Sequence, residues 1–424
     1  MNFYKKIVQT SLFKITSLNS FGVLLKIGIG LITSKILAVF VGPSGMALVG
    51  NLRNFLTSLE NISTLGFQNG IVKYTAENER NKSELQKIIT TVFLSLFFVA
   101  VFLGIILFFT ANYWNTRIFG NNIQYLLVFK VLAFALPCYA VSIFFVALIN
   151  GLGKFKKVIW INIIGNTIGL LVSVWMILQY QTIGALLAIV IAPALLFFVT
   201  FYLVQKEIDF FQIIKLKLFD FQIIKNLSSY SLMALVSSVL GPIVFLAVRN
   251  EIIQNLGIEQ AGYWETMTRI SSYYLLFVST ILTVYFLPKL SKASTNEETK
   301  TIFWQYYKFI LPVFVLGLIV LYFARFFVVE LLFTKEFLPV TNLFFWQFLG
   351  DIFKVCALIL GYQFFAKKLT LAFIITELYS LFVLYSASLY YMKMFQIEGV
   401  VLAYAFQNLS YLLILGIYFR KSLF

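Results

Sequence analysis

The chain has 424 residues, of which 61% are hydrophobic, 18% aromatic and only 12% charged, with a mean hydropathy of +0.91 and a formal net charge of +16. Soluble domains carry about 25% charged residues, so this composition excludes a soluble enzyme, a secreted miniprotein, a coiled coil and a disordered tail. A strongly apolar and basic chain indicates an integral membrane protein.

Two residue types that often carry chemistry are scarce. The chain has no histidine, which excludes an imidazole base and a histidine metal site. Its two cysteines, Cys138 and Cys356, lie in separate apolar stretches, so neither a disulfide framework nor a cysteine metal site is expected. We therefore expect no catalytic residues, no metal, no organic cofactor and no nucleic acid partner.

Hydrophobic stretches long enough to cross a bilayer recur along the whole chain. A spanning helix needs about 20 mostly apolar residues, and the loops between these stretches are short. Lys14 and Lys26 interrupt the first stretch, so we expect a retained helix and not a cleaved signal peptide. The sequence thus predicts an all-α integral membrane protein with twelve transmembrane helices. The predicted spans are 12–37, 46–72, 88–111, 122–150, 158–178, 183–204, 227–250, 260–287, 302–329, 338–366, 369–391 and 399–419.

The longest polar-leaning stretch divides these spans into two groups of six. We predict an N-terminal lobe over residues 1–204, a cytoplasmic linker over 205–226 and a C-terminal lobe over 227–424. The linker mixes Phe and Ile with Lys, which suits either a segment on the inner membrane surface or a plain connection. Both lobes contain a cation, a glycine-bounded turn and a second cation, at Arg53 and Arg269 respectively, which favours a duplicated transporter plan.

The loop cations are strongly biased to one side of the membrane. The termini and the loops after even-numbered spans hold 20 Lys and Arg residues, whereas the loops after odd-numbered spans hold three. Under the positive-inside rule, this bias predicts that both termini are cytoplasmic.

The remaining charges lie inside the predicted spans, where ten bases accompany four acids. A charge at the bilayer centre costs at least about 2.5–3.5 kcal/mol, so these side chains need partners or a polar cavity. Glu265 and Arg269 are spaced for a local ion pair, as are Asp351 and Lys354, and structural pairing is one interpretation of the acids. The surplus of six bases favours an anionic ligand, for which phosphate or pyrophosphate suits guanidinium groups.

Polar side chains share one face of the second, eighth and tenth predicted helices. A helix with a polar half at membrane depth must turn that half towards protein or water. We therefore predict that these faces line a polar lumen. The predicted lumen residues are Asn51, Asn54, Asn61, Thr268, Ser272 and Gln347.

Several segments resemble a known transporter family. They include a GPxG turn at Gly42–Gly45, an NGxxKY motif at Asn69–Tyr74 and the helix WQFLGDIFKVCALILGYQFFAKK at 346–368. Together they resemble the Wzx-type flippases of the MOP superfamily, in particular those of O-antigen and of lipid III, the enterobacterial common antigen intermediate. The resemblance runs over nearly the whole chain and implies a MOP-type alternating-access transporter of twelve helices in two six-helix lobes.

The resemblance also implies a substrate, a place and a site. It implies movement of undecaprenyl-pyrophosphate-linked oligosaccharide, such as an O-antigen or related polysaccharide repeat unit, from the cytoplasmic to the periplasmic leaflet of the bacterial inner membrane. The predicted lumen residues would then face glycan, and the polysaccharide polymerase machinery becomes a candidate partner beside the lipid bilayer. The matching cationic cavity positions would be Lys26, Arg53, Arg249, Arg269 and Lys354.

Carriers of this family are expected to be driven by an ion gradient, with proton and sodium both open as coupling ions. A carboxyl group inside a span can take up a proton, so the acids in the spans are candidates either for coupling or for structural pairs. They are Glu60, Glu265, Asp351 and Glu377.

Three alternatives remain open at this point. A MATE-type cation-coupled multidrug exporter shares the architecture, but cationic drugs favour an acidic lumen and this one is basic. A lipid II flippase also handles a pyrophosphate, although those proteins resemble a fourteen-helix plan. A polyprenol-dependent enzyme is disfavoured, because the longest predicted external loop, 112–121, contains no carboxylate.

Overall fold

The computed structural model describes residues 11–120 and 122–423, with the backbone alone for 11–20 and 229–231, so the first ten residues of the predicted N-terminal lobe lie outside it. No residue in the described ranges is in a β-strand. The α-helices are α1 (Ser11–Phe40), α2 (Gly42–Ser63), α3 (Gln68–Glu77), α4 (Lys82–Phe109), α5 (Ala111–Phe119), α6 (Leu126–Gly151), α7 (Phe155–Gln205), α8 (Phe210–Ile213), α9 (Phe221–Leu235), α10 (Gly241–Leu256), α11 (Ile258–Ile281), α12 (Leu287–Lys292), α13 (Asn296–Phe323), α14 (Arg325–Leu332), α15 (Phe344–Lys367), α16 (Thr370–Tyr418) and α17 (Arg420–Leu423).

Shorter helical elements connect several of these helices. Two π-helical turns, Val236–Leu240 and Leu282–Phe286, join α9 to α10 and α11 to α12 without a loop. The 3₁₀ segments Ile123–Tyr125, Leu216–Leu218 and Lys335–Leu343 precede α6, α9 and α15.

The twelve predicted spans are present as helical segments of membrane length. In the described part of the chain, nine helical stretches are long and apolar enough to cross a bilayer. Two of these, α7 and α16, have 51 and 49 residues and are broken in the middle, where Gln181 and Gln396 have φ angles of 49° and 51°. Each therefore contains two spans. The amphipathic α2, with 22 residues, completes the twelve, and the all-α membrane fold is confirmed.

The element boundaries differ from the prediction in several places. The predicted loop 112–121 is mostly the helix α5, which ends at Phe119 and is capped by Gly120 with a left-handed φ of 71°. A glycine at this position closes a helix without steric cost. The predicted span 302–329 breaks at Ala324, after which α14 begins.

The helices pack into two compact units. The first unit comprises the residues up to Phe40 together with Phe55–Val239, and the second comprises Val41–Asn54 together with Leu240–Phe424. The helix α2 thus contributes its first half to the second unit and its second half to the first. The lobe boundaries predicted from the sequence stay a prediction.

An aromatic core stabilises the first unit and holds the predicted linker. Phe210 of α8 is buried and packs edge-on against Phe93 of α4 and Phe145 of α6, with ring centroids 5.0 and 4.9 Å apart. The carbonyl of Ile213 accepts a 2.9 Å hydrogen bond from the amide of Gln86 on α4. The start of the linker is therefore fixed to the first unit by packing as well as by hydrogen bonds.

Corresponding helices of the two units are built alike. The helices α4 and α13 both have 28 residues, and each is followed by a short helix, a 3₁₀ segment and another long helix. Both also begin with a side-chain cap, since Asn81 accepts from the backbone N–H of Glu84 and Thr295 from that of Glu298. These parallels indicate an internal repeat.

Candidate functional site

Two arginines of the second unit share one buried carboxylate. Arg249 of α10 donates to Glu265 Oε2 at 2.6 Å, and Arg269, one turn after Glu265 on α11, donates from Nε to Oε1 at 3.1 Å. All three side chains are buried. The spacing of Glu265 and Arg269 in the sequence indicated this local pair, whereas Arg249 reaches the same carboxylate from a different helix.

The first half of α2 packs against these charges. Asn51 accepts a 3.4 Å hydrogen bond from Arg249 Nη1 and donates to Asn250 Oδ1 at 3.3 Å. Gly50 permits this approach, because a Cβ at that position would lie 2.8 Å from the guanidinium carbon of Arg249. The contacts explain why Val41–Asn54 belongs to the second unit.

Arg53, half a turn beyond Asn51, adds a third guanidinium group. Its side chain is exposed, and Arg269 and Glu265 are its strongest electrostatic neighbours. We call Arg53, Arg249, Glu265 and Arg269 the arginine group. Three cations and one carboxylate leave an excess of two positive charges. These cations repel each other. An anion that binds beside them is attracted by all three and reduces this repulsion.

A second buried carboxylate in the same unit has only neutral hydrogen-bond partners. Asp351 of α15 is fully buried and accepts from Ser271 at 2.7 Å, from Tyr404 at 2.8 Å, from Gln347 at 3.3 Å and from the hydroxyl of Tyr274. These donors come from α11, α15 and α16. We call this set the Asp351 group. The neutral donors of this group satisfy the hydrogen-bonding capacity of the buried carboxylate.

Lys354 lies one turn from Asp351 but interacts with it only at a distance. In the described part of the chain the two residues form no ion pair, and Lys354 Nζ lies over the ring of Tyr404, 5.6 Å from its centroid. Lys354 is also an electrostatic neighbour of Glu377, which is half-buried on α16. The local pair that the spacing of Asp351 and Lys354 indicated is therefore not formed, because hydroxyl groups occupy the carboxylate.

The predicted site residues outside both groups include Lys26, Asn54, Glu60 and Asn61. Lys26 is exposed on α1, and Glu60 is half-buried on α2, both in the first unit. Asn61, next to Glu60, donates to the carbonyl of Thr57 at 2.8 Å. Asn54 is half-buried in the second unit, and its Nδ2 has no hydrogen-bond partner among the described residues.

The two predicted hydroxyl residues of α11 bond within their own helix. Thr268 donates to the carbonyl of Trp264 at 2.9 Å, and Ser272 donates to that of Arg269 at 2.7 Å. Their hydroxyl oxygens can still accept a hydrogen bond from a ligand.

The sequence did not single out several residues that complete these groups. Asn250 pairs with Asn51, and Ser271, Tyr274 and Tyr404 surround Asp351. The chain has 23 tyrosines, and no spacing distinguishes these two from those that face lipid. A signal does exist for Ser271, since it adjoins the polar face of α11.

Several solved structures have the same fold. An inward-facing multidrug resistance MATE family transporter of the MOP superfamily matches with a TM-score of 0.75 and 14% identity, over 93% of this chain and 94% of that one. The lipid II flippase MurJ, in an inward closed conformation, matches with a TM-score of 0.71 and 16% identity, over 95% and 87% respectively. These likenesses confirm the predicted MOP-type fold.

Two relatives are more similar to this chain in sequence than these structures are, and both are named by one function. The lipid III flippases of Escherichia coli (strain K12) and Shigella flexneri are each 28% identical to this chain over 370 residues, which is 87% of this chain and 88% of the relative. The resemblance that the motifs indicated is thereby confirmed. The model of the family described as "Polysaccharide biosynthesis protein" matches residues 36–342. Since this match covers more than half of the 424 residues, the chain belongs to the family of polysaccharide biosynthesis proteins.

Proposed function

We propose that this multi-pass membrane protein is a flippase that moves a lipid-linked oligosaccharide across the bilayer. The single observation that carries the proposal is the arginine group, in which two guanidinium groups share one buried carboxylate and a third interacts electrostatically with it. The relatives named lipid III flippase and the family of polysaccharide biosynthesis proteins support the substrate class.

The arginine group suits a phosphate or pyrophosphate headgroup. Glu265 holds Arg249 and Arg269 in place, so their guanidinium groups are pre-oriented before a ligand arrives. Arg53 is the exposed member and is the one that a ligand meets first. Guanidinium groups bind phosphate through two parallel hydrogen bonds, which an ammonium group cannot match. Lys354, which belongs to the same unit, is then a secondary contact of the anionic headgroup.

The finer assignment is an undecaprenyl-pyrophosphate-linked repeat unit that moves from the cytoplasmic to the periplasmic leaflet of the bacterial inner membrane. The bias of 20 loop cations against three supports cytoplasmic termini. Polar side chains near the arginine group, such as Asn51, Asn54 and Ser272, supply hydrogen bonds for glycan hydroxyls. The chain acts as a transporter and not as an enzyme, and it delivers its cargo to polysaccharide polymerase machinery.

An ion gradient drives the cycle in this proposal, with Asp351 as the residue that takes up a proton or a sodium ion. The Asp351 group supplies several oxygen atoms from three helices, so a change at the carboxylate alters how those helices are held. Glu60 and Glu377 are further candidates, because both are half-buried acids without an ion pair in the described chain.

Reconstitution tests the proposed function directly. Purified protein in liposomes receives a fluorescent polyprenyl-pyrophosphate-linked oligosaccharide in one leaflet, and its appearance in the other leaflet is followed with a membrane-impermeant quencher. We expect wild-type protein to move the probe and Arg53→Ala and Arg269→Ala to lose most of this activity. The control is Arg117→Ala, which removes an exposed arginine of α5 in the other unit.

The outcome also separates the alternatives. Movement of the probe by both arginine variants at the wild-type rate contradicts the role of the arginine group. Transport of a cationic drug without movement of the probe assigns the chain to multidrug export. Faster movement of lipid II than of the oligosaccharide probe assigns it to lipid II transport.

A further inference from the structure

In each unit an apolar cleft lies between two of the long helices. The cleft of the first unit lies between α4 and α6 and has a volume of about 360 Å³. The cleft of the second unit lies between α13 and α15 and has a volume of about 370 Å³. Neither cleft contains a residue of the arginine group or of the Asp351 group, so both are separate from the proposed transport site.

One wall of each cleft has the same residue pattern. In both helices the lining positions follow the spacing i, i+3, i+4, i+7 and i+8, and each position of α13 lies 214 residues after its counterpart in α4. Four of the five pairs conserve the side-chain class. The lining residues are Val101, Gly104, Ile105, Phe108 and Phe109 in α4, and Val315, Leu318, Ile319, Tyr322 and Phe323 in α13.

The opposite walls also correspond, at a shift of 215 residues. Ala133, Phe134 and Pro137 of α6 occupy the positions that Phe348, Leu349 and Ile352 occupy in α15. The two clefts are thus repeats of one feature, although different side chains shape them.

A specific contact shapes the first cleft. Pro137 has no N–H to offer the carbonyl of Ala133 four residues earlier, and Gly104 packs against this carbonyl, so that a Cβ at position 104 would lie 2.6 Å from its oxygen. Glycine and proline together bring the two helices close at this point. The larger side chains beside them keep the cleft open.

Both clefts open towards the side of the helices that faces lipid. Ile105 and Phe109 are 52% and 80% exposed, and Ile319 and Phe323 are 48% and 78% exposed. An empty apolar cleft loses dispersion contacts with its lining, and in a membrane the available filler is a hydrocarbon chain.

A cation lies beside the corresponding aromatic ring of each cleft. Lys130 Nζ is 5.8 Å from the ring centroid of Phe108. The guanidinium of Arg325 is 4.3 Å from the ring of Tyr322, the counterpart of Phe108, and donates to the carbonyl of Tyr322 at 2.8 Å. Each cleft therefore combines an apolar wall with one positive charge at the C-terminal end of its first helix.

We propose that each cleft binds one hydrocarbon chain of an anionic phospholipid, whose phosphate contacts Lys130 in the first unit and Arg325 in the second. A single cation matches a phosphodiester, which carries one negative charge, better than a pyrophosphate, which carries more. Two equivalent sites also suit resident lipids better than a cargo that is moved one molecule at a time. With the expected orientation, both sites lie in the outer leaflet.

Photolabelling of the full-length protein tests this proposal. The protein is reconstituted in phosphatidylcholine nanodiscs that contain phosphatidylglycerol with a diazirine at the end of one acyl chain, and the labelled peptides are identified by mass spectrometry. We expect labels in Val101–Phe109 and Val315–Phe323. Unlabelled phosphatidylglycerol should compete about fivefold better than phosphatidylcholine, the preference that one basic side chain near a lipid phosphate provides.

Matched substitutions separate cleft binding from general contact with lipid. Ile105→Trp and Ile319→Trp fill the clefts and should each remove the label from their own unit only. Phe102→Trp and Leu316→Trp are the controls, because both residues are 63% exposed on the same helices but outside the clefts. All four positions are lipid-exposed, so the thermal unfolding midpoint should stay close to that of the wild type. Lys130→Gln and Arg325→Gln should abolish the preference for phosphatidylglycerol in their own clefts.

Three results would overturn the proposal. One is labelling that persists after Ile105→Trp and Ile319→Trp, and another is equal competition by phosphatidylcholine in the wild type. The third is stronger competition by a polyprenyl phosphate than by phosphatidylglycerol, which assigns the clefts to the tail of the cargo. The flippase assay has no part in this readout, so the two proposals fail independently.

Discussion

Gly262 of α11 packs directly against the backbone carbonyl of Pro43 at the start of α2, so closely that a Cβ at position 262 would overlap the carbonyl oxygen. Two turns further along α2, Gly50 packs against the side chains of Glu265 and Arg249 in the same way. The two glycines thus allow the first half of α2 to lie flat on α11, and they place Asn51 beside Arg249.

Gly262→Ala should therefore destabilise the protein although alanine is the better helix former. The methyl group meets backbone and not a flexible side chain, so we expect a loss of roughly 1–3 kcal/mol, as for other overpacked sites. Thermal unfolding in detergent measures the change. The matched control is Gly317→Ala, since Gly317 lies inside α13 with open space around it, and there the substitution should be neutral or stabilise by up to about 1 kcal/mol. Equal effects at the two positions contradict the close packing of α2 on α11.

The arginine group predicts that stability and transport can be separated. Glu265→Gln leaves Arg249 and Arg269 buried without their shared carboxylate, and loss of one partner from a buried ion pair costs about 3–5 kcal/mol. Arg53→Ala removes an exposed side chain and should change stability by no more than about 0.5 kcal/mol.

The flippase activity of the two variants should fall for different reasons. Arg53→Ala should fold normally and lose most of its flippase activity, whereas the activity of Glu265→Gln should fall together with the amount of folded protein. Thermal unfolding and the flippase assay on the same preparations check both statements. An Arg53→Ala protein that unfolds at lower temperature than Glu265→Gln contradicts the assignment of the two roles.

The sequence predicts the membrane fold well because its physical causes are local. The length of each span follows from bilayer thickness. The pairing of Glu265 with Arg269 follows from the free-energy cost of an unpaired charge in lipid. Both can be recognised from one stretch of chain. The sequence also predicts that bases outnumber acids in the spans. In the second unit the structure pairs two of these bases, Arg249 and Arg269, with one carboxylate, and Arg53 interacts electrostatically with the same group.

The rest depends on contacts between distant parts of the chain. Asp351 was expected to pair with Lys354 because they are three residues apart, but hydroxyl groups from α11 and α16 reach it first. Likewise, α5 lies in a predicted loop. Its polar residues interrupt the apolar pattern that predicts a membrane helix, and only Gly120 indicates where a helix ends. Tertiary packing determines these contacts, and the spacing of residues along the chain does not predict it.

Outside the membrane, an ion pair at the start of the linker predicts a pH effect. The ammonium of Lys157 donates a hydrogen bond to Glu207, and this bond, with a smaller contribution from the charge of Lys154 at 3.5 Å, holds the pKa of the Glu207 carboxyl below its usual value of 4.5. A lowered pKa in the folded state stabilises the protein above pH 4.5, and this stabilisation is lost as the pH falls through the folded-state value.

Glu207→Gln should therefore unfold at a lower temperature than the wild type at pH 7, and the gap should close below about pH 4.5. Thermal unfolding across this range measures it. Glu77→Gln is the control, because Glu77 is 54% exposed and its pair with Lys73 at 3.6 Å contributes little. A gap between wild type and Glu207→Gln that widens as the pH falls contradicts the direction of this linkage.

Asp351→Asn should uncouple transport from the ion gradient while leaving the fold largely in place. The amide keeps the shape of the carboxyl group, and the hydroxyls of Ser271, Tyr274 and Tyr404 can rotate to accept from it. What the amide cannot do is gain or lose a proton or balance a sodium ion. We therefore expect the wild-type flippase rate to rise under an imposed proton or sodium gradient and the rate of Asp351→Asn to be the same with and without it.

Tyr274→Phe is the matched control, since it removes one donor to the same carboxylate, costs about 1 kcal/mol of stability and should retain gradient dependence. If Asp351→Asn responds to the gradient as the wild type does, the Asp351 group only holds α11, α15 and α16 together, and coupling must be sought at Glu60 or Glu377.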